Sequence, residues 1–346
     1  MKPLEQLVRP NIWRLQPYSS ARGEFHGDAS VFLDANENPF NSEYNRYPDP
    51  LQWKLKEKIA ALKGVDVKNI FLGNGSDEPI DLFIRTFCEP RIDNVVSITP
   101  SYGMYQVAAE TNDVAFRTVK LNEQFDITAA SLLAAVDKYT KLIYLCSPNN
   151  PTGNLLNREE LKKVLNLFEG IVIIDEAYVD FSSEPSFLSE LKNYPNLVVF
   201  QTFSKAWGAA GIRLGMAFAS PEIIAVLNKV KYPYNVNILT QRSAIELLSH
   251  EDRMHQQKAE ILSQRAMLEK ELPTFECVRK VYPSDSNFLL MDVGDANGMY
   301  DYLVEKGVIV RNRNNITLCE GCLRITVGTP EENATLLNAL KERNAK

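Results

Sequence analysis

A chain of 346 residues with 45% hydrophobic and 24% charged residues has room for roughly two ordinary domains and a large core that needs no crosslinks. Its net charge of −6, from 38 basic and 44 acidic residues mixed along the chain, argues against a nucleic-acid partner. No run approaches the ~20 apolar residues of a membrane span, and five cysteines suit a reducing compartment better than a disulfide framework, so a cytoplasmic protein is expected.

The first residues hold Pro10 and Pro17 and little periodicity, so 1–29 read as an arm laid on something else. Further on, short apolar runs at 70–72, 94–98, 141–145, 170–174, 197–200 and 215–219 read as strands. Helical patterns at 51–62, 78–87, 102–110, 129–136 and 158–168 separate most of them. Such alternation predicts a mostly parallel sheet covered by helices, an α/β domain. Asn157 is a natural N-cap for the last of these helices, with Glu160 as its capping-box partner. After Pro221 come a helix at 222–229 and a long amphipathic stretch at 238–272 that can bridge two lobes. The tail reads as a smaller α+β unit, with strands at 287–291, 308–310 and 323–327 and helices at 299–306 and 331–341. Cys319 and Cys322 have zinc-knuckle spacing, but there is no second pair and only three histidines, so no metal is expected.

Chemistry-bearing residues gather where these strands end. Gly73-Asn74-Gly75-Ser76-Asp77-Glu78 runs from a strand into a helix, where backbone amides cradle a phosphate or simply make a capped turn. Tyr102 follows the next strand at the carboxyl edge of the sheet, suited to stacking on a flat ring or to capping a helix. In Ser147-Pro148-Asn149-Asn150-Pro151-Thr152-Gly153, prolines hold the amide of Asn150 in a fixed orientation. Asp175 ends four β-branched residues, where a carboxylate wants a cationic partner, and Tyr178 follows three residues later. Taken alone, Lys205 reads as a surface amine at a strand end. Its neighbours alter that reading: Ser204 and Arg213 suit phosphate, and Gly208 and Gly211 allow close backbone approach. A lysine amine and a buried acid on neighbouring strands are what pyridoxal phosphate needs, one to carry it and one to keep its ring nitrogen protonated.

Thr202-Phe203-Ser204-Lys205-Ala206-Trp207-Gly208 through Arg213 resembles the lysine signature of the class II aminotransferases, within the fold-type I pyridoxal-phosphate enzymes. Pro17-Tyr18-Ser19-Ser20-Ala21-Arg22, Leu33-Asp34-Ala35-Asn36-Glu37-Asn38-Pro39, Asn45-Arg46-Tyr47-Pro48-Asp49-Pro50 and Cys322-Leu323-Arg324-Ile325-Thr326-Val327-Gly328 are most similar to the histidinol-phosphate aminotransferases. Asp34 departs from the commoner asparagine there.

The resemblance covers almost the whole chain and implies a mostly parallel seven-stranded sheet sandwiched by helices, plus a smaller α+β domain. It divides the chain into an arm at 1–29, a small-domain segment with substrate and dimer contacts at 30–47, a large cofactor-binding domain at 48–235 and a small C-terminal domain at 236–346. By resemblance, Lys205 carries the cofactor, Asp175 pairs with its ring nitrogen, Asn150 and Tyr178 hold the ring hydroxyl, and Tyr102 stacks on the ring. Ser76, Asp77, Ser204 and Arg213 hold its phosphate, with Tyr47 from the neighbouring subunit of a homodimer. Tyr18, Asn36, Arg311 and Arg324 contact substrate, and Arg324 takes both the carboxylate of glutamate and the phosphate of histidinol phosphate. The implied reaction is transamination between histidinol phosphate and 2-oxoglutarate. Its rivals are an aromatic or broad-specificity aminotransferase, a decarboxylase of a phosphorylated amino acid, and a non-enzymatic sensor.

Overall fold

The computed structural model describes residues 1–19 and 29–344; Ser20, Ala21 and Arg22 of the arm motif lie outside the described residues. Its centre is a seven-stranded sheet made of β1 (Ile70–Asn74), β2 (Asn94–Thr99), β3 (Ala115–Lys120), β4 (Thr140–Cys146), β5 (Ile171–Asp175), β6 (Leu197–Thr202) and β7 (Leu214–Phe218). Their order is β1-β7-β6-β5-β4-β2-β3, and β7 alone runs against the others. The carboxyl ends of β1, β2, β4, β5 and β6 therefore share one edge with the amino end of β7.

The central strands are apolar throughout because both faces of the sheet are covered. Val172, Ile174, Ile143, Leu145 and Val199 pack on one side, and Ile171, Ile173, Leu142, Tyr144, Val198 and Phe200 on the other. Helices Asp77–Phe87, Met104–Thr111 and Pro221–Val230 supply partners for the second face. The start of the arm lies on that same helical layer, with Leu7 and Val8 buried and Arg9 bonded to Glu89 and to the carbonyl of Arg85.

The smaller sheet contains β8 (Lys280–Val281), β9 (Phe288–Asp292), β10 (Arg311–Asn312) and β11 (Cys322–Thr326), all antiparallel in the order β10-β11-β9-β8. Its core includes Leu289, Met291, Leu323, Ile325, Leu336 and Leu340, the last two from the closing helix Pro330–Asn344.

Three expectations need correction. The stretch 238–272 is two helices, Ile238–Leu248 and Glu251–Glu271, because Ser249 turns its hydroxyl back onto the carbonyl of Glu246 and His250 leaves helical geometry. The longer helix still ties the two cores together, with Met254 in one and Leu268 in the other. Asn157 caps its helix by accepting from the amides of Glu159 and Glu160, but Glu160 does not close a capping box. Its carboxylate accepts from the amide of Ala129 and pairs with Lys163. The strand expected at 308–310 falls instead on Arg311–Asn312, which sets Arg311 opposite Arg324.

Candidate active site

A cavity of about 700 Å³ opens at the shared strand edge and reaches the small sheet. Each strand end contributes in turn: Ser76 and Asp77 after β1, Tyr102 after β2, Asn150 after β4, Asp175 and Tyr178 after β5, Ser204 and Lys205 after β6, and Arg213 before β7. Arg311 and Arg324 line it from the other lobe. Eleven of the residues singled out from the sequence thus meet around one space.

Asp175 is 2% exposed. Its Oδ2 accepts from the hydroxyl of Tyr105 at 2.7 Å and its Oδ1 from the amide of Ala177 at 3.1 Å, and no cation pairs with it among the described residues. Burial pushes its carboxyl up from 3.8 to about 6, against the lowering effect of the Tyr105 bond. A fixed, desolvated acid facing a cavity calls for a cation there. Tyr105 carried no signal of its own in the sequence, since it reads as an interior residue of an amphipathic helix; in the fold it is fully buried and stacked on Tyr144 at 5.0 Å.

Lys205 faces the same space, its amine 5.4 Å from the ring centre of Tyr178 and without a hydrogen-bond acceptor among the described residues. Burial first, then the Arg324 charge, lowers its pKa. The amine is therefore easier to hold neutral, as a nucleophile or base must be. Tyr178 is buried, packed edge-on against Phe288 at 5.1 Å, and its phenol is held protonated by burial. Asn150 accepts at Oδ1 from Arg324 Nη1 at 2.5 Å. Because a guanidinium only donates, the Asn150 amino group is the end left to donate into the cavity.

The phosphate side is built by close backbone approach. Gly75 has φ +69°, and a Cβ there would stand 2.5 Å from Arg213 Nη2. A Cβ on Gly215 would stand 2.3 Å from the backbone of Gly75. Arg213, itself in the left-handed region, bonds Asp77 Oδ2 at 3.2 Å, and Asp77 Oδ1 accepts from the Tyr102 hydroxyl at 3.0 Å. The hydroxyl of Ser76 makes no cap bond to the helix Asp77–Phe87, whose amino end meets the cavity. Within the chain itself, close backbone approach is made at Gly75 and Gly215. Gly208 serves by its φ of +61°, while a Cβ at Gly211 would meet nothing within 4 Å.

Tyr18, Asn36 and Tyr47 do not line the cavity. Tyr18 is 77% exposed, and Tyr47 is 50% exposed and stacked on Tyr234 at 4.4 Å. Arg313, which no motif in the sequence marks, does line it.

An open α/β sheet with an amine, a buried acid, a fixed amide and a phosphate-sized cradle converging at its carboxyl edge defines a pyridoxal-phosphate enzyme. The residues fit that cofactor: the buried acid, without a cationic partner among the described residues, suits its ring nitrogen, and the glycine cradle beside Arg213 suits its phosphate. The family model described as aminotransferase class I and II matches residues 24–340, and the chain belongs to that family. It is similar to the histidinol-phosphate aminotransferase of Parabacteroides distasonis, 65% identical over 341 residues that cover 99% of each chain. Among solved structures it is similar to the histidinol-phosphate aminotransferase from Clostridium acetobutylicum, with TM-score 0.80, 28% identity, and 87% of this chain and 91% of that one covered. The fold is shared too with the Sinorhizobium meliloti enzyme of the same name in complex with pyridoxal-5'-phosphate, at TM-score 0.78 and 24% identity over 86% and 82% of the two chains.

Proposed function

We infer that the chain transfers the amino group of L-histidinol phosphate to 2-oxoglutarate, giving imidazole-acetol phosphate and L-glutamate, with pyridoxal phosphate as cofactor. The single observation that carries this reading is the 65% identity over 99% of a relative named for that reaction, on a chain whose cavity brings together an amine, a buried acid and a set of guanidinium groups.

Within the site, Lys205 would carry the cofactor. Asp175 would keep the proton on its ring nitrogen, Asn150 and Tyr178 would donate to its ring hydroxyl, and Tyr102 would cover its face. Ser76, Asp77, Ser204 and Arg213 would hold its phosphate. When bound, pyridoxal phosphate supplies a ring that accepts the electron pair left as the substrate Cα loses its proton. Lys205 Nζ, free of the cofactor once the substrate amine has displaced it and with its pKa lowered, would be the base that takes that proton and hands it on two bonds away. Asp175, positioned by Tyr105, would keep the ring nitrogen charged. Arg324 binds the anionic end of each substrate, and Arg311 contacts substrate beside it.

We also propose a homodimer. The segment holding Tyr47 exposes Val31, Leu33, Phe40 and Tyr44, an apolar surface that suits burial against a second copy. Tyr47 would then reach the neighbour's cofactor phosphate, and Tyr18 and Asn36 the neighbour's substrate. The boundaries at 29, 47 and 235 follow from the same reading. Among the described residues no helix is long and apolar enough to cross a membrane, and we place the chain in the cytoplasm.

Steady-state comparison of histidinol phosphate with phenylalanine and tyrosine as donors tests the substrate. Glutamate formation that depends on histidinol phosphate is expected; equal use of the aromatic amino acids, or release of carbon dioxide, would overturn the reading.

A further inference from the structure

Three guanidinium groups face the cavity from the small lobe. Arg311 on β10 stands opposite Arg324 on β11, and Arg313 follows two residues later on the same side of the chain. The amide of Arg313 donates to the carbonyl of Cys322 at 2.9 Å, which continues the ladder and fixes where the side chain starts. Like charges placed across a strand pair repel, so an arrangement of this kind is unfavourable without a counter-ion.

No carboxylate supplies one among the described residues: none of the three makes an ion pair. Other arginines of the chain do, with Arg9, Arg46, Arg158, Arg213 and Arg265 each paired to an acid. The Nε atoms of Arg313 and Arg324 are both buried without a hydrogen-bond partner. Burial, and then Arg324 and Arg311, bring the Arg313 guanidinium down to about 10. A buried donor left unsatisfied beside two like charges is costly unless a ligand satisfies it.

We propose that Arg313 is a specificity-determining residue that, with Arg311 and Arg324, forms a three-guanidinium subsite for the phosphate-monoester dianion of the amine donor. The carboxylate on the amine-bearing carbon of glutamate, where the donor has its phosphate arm, has one negative charge and two acceptor oxygens, which one bidentate arginine satisfies, and Arg324 suffices for it. A phosphate monoester near neutral pH carries almost two charges and three free acceptor oxygens, and it needs the further donors. Arg313 thus separates the phosphorylated amine from glutamate, which shares the cavity in the second half of the cycle. The assignment rests on the transamination reading above.

The test uses holoenzyme of the wild type, R313Q and R313K, with single-turnover half-reactions followed by cofactor absorbance. The donors are histidinol phosphate, histidinol and glutamate, and binding of inorganic phosphate is measured by its slowing of the glutamate half-reaction. For R313Q, kcat/KM for histidinol phosphate is expected to fall about tenfold or more, while histidinol and glutamate stay within about twofold. Phosphate binding weakens in parallel, and R313K, with charge but no planar fork, recovers only part of the loss. Because one of three repelling charges is removed, R313Q without phosphate should melt no lower than the wild type. An unchanged ratio of histidinol phosphate to histidinol, or an equal loss on glutamate, overturns the proposal. Should R313Q fail to fold, an R313K ratio equal to that of the wild type overturns it. If the wild type itself ignores histidinol phosphate, the functional reading fails, whereas the phosphate measurement still decides whether Arg313 binds this anion.

Discussion

At the scale of single residues, two groups sit in environments that push them in useful directions. Lys205 is held toward its neutral form by burial and by Arg324, so Lys205→Ala should keep the melting temperature of the cofactor-free protein yet lose about two to four orders of magnitude in turnover. Turnover near that of the wild type would remove Lys205 from the chemistry. Asp175 has a folded-state pKa raised from 3.8 to about 6, so in the cofactor-free protein its contribution is fully favourable below pH 3.8 and is lost as pH rises through 6. Its ionisation in the empty fold then costs about 3 kcal/mol at neutral pH. Asp175→Asn should therefore stabilise the cofactor-free protein more at pH 8 than at pH 5 while slowing transamination, and calorimetry at the two values checks the sign. Much of this site was legible from the residues, because Lys205, Asp175 and Asn150 each sit in a short motif whose chemistry points one way. Tyr105 and Arg313 were not. A tyrosine inside a helix and an arginine in a polar loop have no local signature, and only the register of β10 on β11 and the helix over β5 bring them to the site.

At the scale of elements, close packing at the phosphate cradle makes a sharp contrast. Gly215→Ala sets a Cβ 2.3 Å from backbone that cannot move aside, so it should be poorly folded or empty of cofactor, whereas Gly211→Ala meets no atom within 4 Å and should bind cofactor normally. Cofactor stoichiometry by absorbance separates the two outcomes. The cap at Asn157 is worth testing separately: Asn157→Ala should cost about 1 kcal/mol in urea unfolding with unchanged slope. Elements were readable where they are buried. Six of the seven large-sheet strands announce themselves as apolar runs, but β3 is an edge strand with mostly exposed side chains and was missed. Likewise β8 and β10 are two residues long, too short for any periodicity to show. The break at Ser249 went unread because Ser249-His250-Glu251-Asp252-Arg253 holds no glycine or proline and reads as one polar face, while a single hydroxyl ends the helix.

At the scale of the whole molecule, Tyr18, Asn36 and Tyr47 stand outside the cavity of their own chain, and their proposed roles require a second copy. Sedimentation should show a dimer, and Tyr47→Phe should loosen the cofactor without changing the melting of the cofactor-free protein. A monomer with full cofactor affinity would contradict that arrangement. In the sequence these three residues were legible only through the family resemblance, since under the proposed arrangement they would meet the cavity only across an interface. Whether this one cavity exchanges an amino group between histidinol phosphate and 2-oxoglutarate is decided by spectroscopy. Purified holoenzyme mixed with histidinol phosphate alone should lose its yellow absorbance in one turnover, and 2-oxoglutarate added afterwards should restore it with one equivalent of glutamate. Absorbance that does not change, or that bleaches with release of carbon dioxide and is not restored, would contradict the account.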